Sequence, residues 1–178
     1  MTSQTLVIPT LATTRLRLMP MSMEHSDGMY QMWRKREVQE YSGPAKDVNG
    51  EEIVLPARNS SDSDKLIQFW VAAAHAGWGF RWALVSKNTE TRLVGHLGFN
   101  QLGECAEIAY HMNPEYWGNG YMYEAATKAI QWQKDQGSKQ ITAFVAPENH
   151  ASIRLTERLG LQPTDTITDG ARKYLRSL

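Results

Sequence analysis

Apolar and polar residues alternate along Thr14-Arg15-Leu16-Arg17-Leu18, a period of two that predicts a first strand, ended by Pro20. Ser22 then offers a helix N-cap, and Met29, Met32 and Trp33 fall on one side of a helix expected to reach about Val38. Leu66, Phe69, Trp70, Ala73 and Ala74 recur at i, i+3, i+4, i+7 and i+8, the pattern of a second helix with one buried face. Asp62 or Ser63 can cap it, and Gly77 stops it. Phe80, Trp82 and Leu84 alternate again, and Leu93 to Phe99 and Glu107 to Met112 read as two more strands. The turns expected between them, at Asn88-Thr89-Glu90 and Gln101-Leu102-Gly103, are too short for a crossover, so the three strands are antiparallel neighbours.

The period lengthens after Tyr121. Met122, Ala125, Ala126, Ala129 and Ile130 share a helix face, and Gly137 ends that helix. Ile141 to Val145 is a strand, and Asn149 can cap a helix to about Leu159, where Gly160 terminates it. Two short strands follow, near Gln162 to Ile167 and Ala171 to Leu175. A strand–helix–strand crossover between 108 and 145 sets one parallel pair in an otherwise antiparallel sheet. The expected class is α/β (α+β): a mixed, mostly antiparallel sheet of six to seven strands flanked by about four helices. Residues 41 to 61 break the pattern with Gly43-Pro44, Asn49-Gly50, Pro56 and Asn59-Ser60-Ser61, and a short extended piece is expected at Ile53-Val54-Leu55. A loop of this length is a functional lid or simply mobile.

A chain of 178 residues fits one domain, 1–178, with a core of about 12–176. Nineteen basic residues balance nineteen acidic ones, which argues against a nucleic-acid partner but not against a local site for a phosphorylated ligand. One cysteine, Cys105, excludes an intrachain disulfide and a zinc site built on cysteine pairs. No window approaches eighteen apolar residues, so no membrane span is expected. Met1 to Thr10 lacks a basic start with a long apolar run, so no signal peptide is expected and the natural location is cytoplasmic.

Candidate chemistry concentrates in Asn113-Pro114-Glu115-Tyr116-Trp117-Gly118-Asn119-Gly120-Tyr121-Met122, between a strand and a helix start. Two near-adjacent glycines permit tight turns and close ligand approach. The helix after them offers unpaired N–H groups to a pyrophosphate. A Gly-x-Gly turn before a helix is also common without a ligand. Neither the dinucleotide fingerprint nor the P-loop fits, because Tyr123 stands where a third glycine belongs and no Gly-Lys-Ser/Thr is present.

This stretch resembles the coenzyme A loop of the GNAT acetyltransferase superfamily, in the RimJ/RimL-like branch. That branch favours Pro-x-x-Trp-Gly-x-Gly-Tyr, which Pro114 to Tyr121 matches, before a helix carrying Glu124-Ala125. The second motif, a strand then Asn-x-x-Ser and a helix ending Leu-Gly-Phe, resembles Val145 to Ser152 ending Leu159-Gly160-Leu161. Thr14 to Leu18 also looks like the branch's first strand, and the resemblance covers about residues 12 to 176. It implies the GNAT fold, a parallel pair opening at an acetyl-CoA site, and no metal. It implies an N-acetyltransferase whose partner is a small-molecule or peptide amine, with no nucleic acid and no membrane, as a monomer or homodimer. The coenzyme would meet His111, Met112, Asn113, Trp117, Gly118, Asn119, Gly120, Tyr121, Met122 and Asn149.

The resemblance also implies direct attack of the amine on the thioester, so Cys105 need not act as a nucleophile and reads as a small buried or strand-edge residue. Backbone N–H groups at about His111 to Asn113 would face the oxyanion. Ser152 and Asn149 are the candidates for stabilising sulfur, although Asn149 would cap its helix regardless. Glu107 is the candidate base; the alternative is a solvated strand carboxylate. Met122 is larger than the branch's alanine and is expected to crowd the coenzyme. Asn119 replaces a residue often basic, and Thr156 stands where many relatives have a tyrosine acid, so that role does not carry over. Trp33, Trp70 and Trp82 fit core faces, while Trp78 and the 41–61 loop are expected near the acceptor cleft. The alternative function is a catalytically silent acyl-CoA-binding regulatory module.

Overall fold

The computed structural model describes residues 6–88 and 92–178. One eight-stranded sheet forms its centre. Its order is β1 (Leu11–Ala12), β2 (Leu16–Pro20), β3 (Phe80–Ser86), β4 (Leu93–Gln101), β5 (Cys105–Met112), β6 (Gln140–Val145), β8 (Ala171–Ser177), β7 (Gln162–Thr168). Among the described residues only β5 and β6 pair in parallel, as the crossover between them requires. The two-residue β1 takes the sheet beyond the expected six or seven strands. The turn expected at Asn88-Thr89-Glu90 falls partly outside the described residues.

Helices cover both faces. α4 (Tyr121–Asp135) packs its alanine stripe against Leu16, Leu18, Phe80, Trp82, Leu97, Phe99 and Ile108. On the other face α1 (Ser26–Trp33) and α3 (Ser60–Ala76) cover Met21, Ala83 and Leu93. Cover on both sides explains why β3 is buried along its whole length. α5 (His150–Arg158) lies beyond α4 along the chain and returns it to the sheet.

The first helical region differs from the expectation of one helix from Ser22 to Val38. Ser22 caps only a 3-10 turn at Met23–His25; α1 follows, then a break and the short α2 (Arg36–Gln39). Lys35 is extended at the break, and its ammonium donates to Asn113 Oδ1 and Glu115 Oε1, both at 2.8 Å. A distant pair of acceptors thus overrides the local period. α3 begins earlier than expected because Asn59, not Asp62 or Ser63, supplies the cap. Asp62 instead accepts from the Arg58 backbone and guanidinium. In the 41–61 segment, the extended piece expected at Ile53-Val54-Leu55 joins no sheet, and Ile53 N donates to the Ala45 carbonyl. The segment closes through a Lys46–Glu52 bridge and buries Ile53.

The parallel pair positions the site. β5 and β6 share register only at Cys105–Gln140, Ala106–Ile141 and Glu107–Thr142. β5 then runs on to Met112 along β4, while β6 stays with β8 as far as Val145–Arg172. The strands diverge into a wedge at their C-terminal ends.

Candidate active site

The wedge opens toward the turn that starts α4. Asn113 caps a 3-10 turn at Pro114–Tyr116 through its side-chain oxygen, which accepts from Glu115 N and from Lys35. Trp117, half exposed, folds its indole back so that Nε1 donates to the Met112 carbonyl at 3.0 Å. Gly118 and Gly120 follow at φ 78° and 76°, the left-handed region that side chains resist. Between them Asn119 Nδ2 donates to the Tyr116 and Trp117 carbonyls and fixes the turn. Gly120 is the N-cap of α4, and the first intrahelical bond is Glu124 N to Gly120 O. The N–H groups of Tyr121, Met122 and Tyr123 precede it without intrahelical partners. Apart from its chain neighbours, no heavy atom lies within 4 Å of where a Gly118 Cβ would sit, so this turn faces open space.

Arg15 braces the turn from the bend before β2. Its Nε bonds Glu124 Oε2 at 2.7 Å, its Nη1 donates to the Asn119 carbonyl at 2.9 Å, and its guanidinium lies 4.2 Å from the Tyr121 ring centre. Asn119 stands where the resemblance expects a residue that is often basic, and Arg15 places a guanidinium beside this turn. The expectation for Met122 is corrected. It is 3% exposed and packs in the core under α4, so its bulk does not crowd the open side of the turn.

Backbone alternation on β5 decides which groups face the wedge. Asn113 N–H donates to the Val94 carbonyl at 2.8 Å. Residues two apart in an antiparallel ladder face the same neighbour, so His111 also faces β4. Tyr110 and Met112 turn their backbone groups to the edge that β6 has left. Of the N–H donors expected at about His111 to Asn113, Met112 faces this edge, His111 and Asn113 face β4, and Tyr110 joins Met112.

Side chains on the two faces of β5 differ. On the α5 side, the Tyr110 hydroxyl lies 2.8 Å from Ser152 Oγ and 3.3 Å from Thr156 Oγ1. Ser152 is in the first turn of α5, where Asn149 Oδ1 accepts from Ser152 N at 3.2 Å. Asn149 is therefore engaged as the helix cap. Burial raises the Tyr110 pKa, opposed by its bonds to Ser152 and Thr156, so the phenol stays protonated at neutral pH.

On the α1 side, His111 Nε2 lies 2.7 Å from Ser42 Oγ of the 41–61 segment. The His111 ring sits 4.7 Å from Trp33 and 5.1 Å from His96. Trp33 Nε1, His96 Nδ1 and His111 Nδ1 are buried without hydrogen-bond partners. Burial, with the charge of Arg81, lowers His111 to about 3. His96 falls well below 6.5 through burial, then His111 and Arg81. Farther down this face Glu107 Oε1 accepts from Asn100 Nδ2 at 2.7 Å, and Asn100 Oδ1 accepts from Arg81. Arg81 is buried with its guanidinium 3.4 Å from the Trp70 ring centre; desolvation brings its pKa to about 9 against the pull of Glu107. Glu107 lies four residues from His111, about 13 Å along an extended strand.

The structure thus brings Met112, Trp117, Gly118, Asn119, Gly120 and Tyr121 around one turn, and Ser152 and Asn149 on the facing helix. It holds Glu107 apart, at the closed end of the parallel pair. Trp78 does not approach the 41–61 segment; it packs edge-on to Phe69 and tilted against Trp70 ahead of β3, at the opposite end of the sheet. Cys105 is the half-buried first residue of β5. Tyr110, Ser42, His96 and Arg15 were not singled out by motif. The signal available for Tyr110 was its parity with the buried Ala106 and Ile108, since a tyrosine on an apolar face needs a partner for its hydroxyl.

An acetyltransferase (GNAT) domain profile matches residues 15–162, and the chain belongs to that family; it is an acetyltransferase of the GNAT fold. It is similar to the uncharacterised N-acetyltransferase p20 of Bacillus licheniformis, with 30% identity over 164 residues, 90% of this chain and 86% of the relative. Among solved structures it is similar to the microcin C7 self-immunity acetyltransferase MccE in complex with acetyl-CoA and AMP. That match has a TM-score of 0.76 and 17% identity, covering 98% of this chain and 99% of that one. It is likewise similar to the Salmonella typhimurium acetyltransferase that modifies the N-terminal serine of ribosomal protein L7/L12. There the TM-score is 0.73 and the identity 15%, covering 93% of this chain and 96% of the other. These likenesses show a shared fold.

Proposed function

We propose that the protein transfers an acetyl group from acetyl-CoA to a primary amine, on a peptide N-terminus or a small molecule, in the cytoplasm. The observation that carries this reading is the wedge between β5 and β6, which faces the glycine turn and the free N–H groups of α4. Those N–H groups, with Arg15 beside them, suit a pyrophosphate. The Tyr110 and Met112 N–H groups suit a ligand laid along the β5 edge and can stabilise a developing oxyanion. The acetyl-CoA held by the MccE neighbour and the N-terminal serine modified by the Salmonella neighbour support the same substrate classes.

The amine nitrogen attacks the thioester carbonyl, a C–N bond forms and the C–S bond breaks. Ser152 Oγ donates a proton to the departing sulfur at the positive end of α5. The amine approaches from the α1 side, and Glu107 takes its proton through water. An α-amine of pKa near 8 needs only about 1–1.5 kcal/mol to deprotonate at pH 7, so a remote carboxylate is adequate.

The test is calorimetric titration with acetyl-CoA followed by thiol release against a panel of α-amines, polyamines and peptides. Binding with thiol release supports the reading. Binding without release on any amine replaces it with an acyl-CoA-binding module, and absence of binding overturns it.

A further inference from the structure

Tyr110, Ser152 and Thr156 place three hydroxyls in contact where β5 leaves β6. Each hydroxyl carries one proton and can accept at least one bond. Two contacts, at 2.8 and 3.3 Å, consume two of the three protons. The position of the third depends on which oxygen donates in each contact, and two of the arrangements run as a chain through Tyr110. If Ser152 donates to Tyr110 and Tyr110 to Thr156, the spare proton sits on Thr156, which is 1% exposed and cannot present it. If Thr156 donates to Tyr110 and Tyr110 to Ser152, the spare proton sits on Ser152. Ser152 is half-buried in the first turn of α5, with its backbone anchored by Asn149. Negative charge arriving in front of Ser152 favours the second direction, and linked hydroxyls polarise one another along it.

We propose that Tyr110 is a positioning residue for thiol protonation: its hydroxyl, backed by Thr156, occupies the acceptor side of Ser152 Oγ and turns the Ser152 proton into the wedge. This rests on the reading of the site as an acetyl-CoA site. As the C–S bond breaks, its electron pair goes to sulfur and the Ser152 proton follows. The bond that Tyr110 donates stabilises the Ser152 oxygen as its proton leaves, and solvent in the wedge, which half-buried Ser152 reaches, restores that proton. Without the phenol, Ser152 would satisfy its hydroxyl on a carbonyl of its own turn.

The test is the rate of acetyl transfer in single turnovers at saturating acetyl-CoA. Tyr110→Phe keeps the ring and should lower that rate roughly tenfold or more, with acetyl-CoA affinity unchanged and an altered solvent isotope effect. In a Ser152→Ala background the same substitution should cost less than about twofold, because the two residues act as one unit. Thr156→Val, should Tyr110→Phe not fold, should show the same dependence on Ser152 with a loss of about threefold. An unaltered rate, equal losses in both backgrounds, or a loss confined to affinity would overturn the proposal while leaving the acetyltransferase reading intact. A wild-type chain that fails to bind acetyl-CoA would overturn both.

Discussion

The two faces of β5 at its open end solve the burial of polar groups in opposite ways. On the α5 side, Tyr110, Ser152 and Thr156 meet one another's hydrogen-bonding needs. On the α1 side, Trp33, His96 and His111 stack closely, yet one ring nitrogen of each has no partner. An unmatched buried polar atom costs about 1–3 kcal/mol. The difference separates a face set for chemistry from a face that an entering polar group would meet with donors and acceptors to offer. On this view the thiol end of the reaction belongs to α5 and the amine end to α1 and the 41–61 segment.

Acidification should give the largest effect that distinguishes the faces. His111 is held near 3 when folded and near 6.5 when unfolded. The unfolded chain therefore binds the extra proton first, so stability is complete above about pH 6.5 and lost as pH falls toward 3. The slope approaches 1.4 kcal/mol per pH unit for this histidine, with His96 adding in the same direction. Denaturant unfolding between pH 7 and 5 measures it, and His111→Phe should reduce the slope to the His96 share; a flat wild-type profile would mean that the imidazoles titrate normally.

Ser152→Ala should lower kcat by about 100-fold with acetyl-CoA affinity retained. An equal loss of affinity would make Ser152 a binding group and dissolve the contrast. Glu107→Gln should cost about tenfold near pH 6. The defect should vanish near pH 9, where an α-amine is already neutral, and a uniform defect across pH would remove Glu107 as the base. The smallest effect should come from Ser42→Ala, which releases His111 and should raise KM for the amine about threefold, the worth of one neutral hydrogen bond. A change in KM for acetyl-CoA instead would place the segment on the wrong substrate.

The sheet, its parallel pair and the glycine turn were legible because each has a local cause. Period-two and period-3.6 patterns mark β3 and α4, and Gly118 and Gly120 are where the backbone needs positive φ. The break between α1 and α2 was not legible, since its cause lies 78 and 80 residues along the chain at Asn113 and Glu115. β5 begins at Cys105 rather than Glu107 because its first residues answer to the parallel partner β6, which alternation does not report. The hydroxyl trio was hidden for the same reason: Tyr110 is separated from Ser152 and Thr156 by 42 and 46 residues. The motif drew attention to Thr156 as a missing tyrosine, whereas the phenol beside Ser152 comes from the strand.

β6 keeps register with β8 over six residue pairs and with β5 over only three. For the wedge to shut, β6 would have to abandon the longer ladder for the shorter one. The far hairpin is thus a buttress, and the slot beside β5 is cut to width when the chain folds. A ligand entering it spends little on organising the backbone. Exchange of the β6–β8 amides should accordingly be slow in the free protein and scarcely slower when the slot is filled.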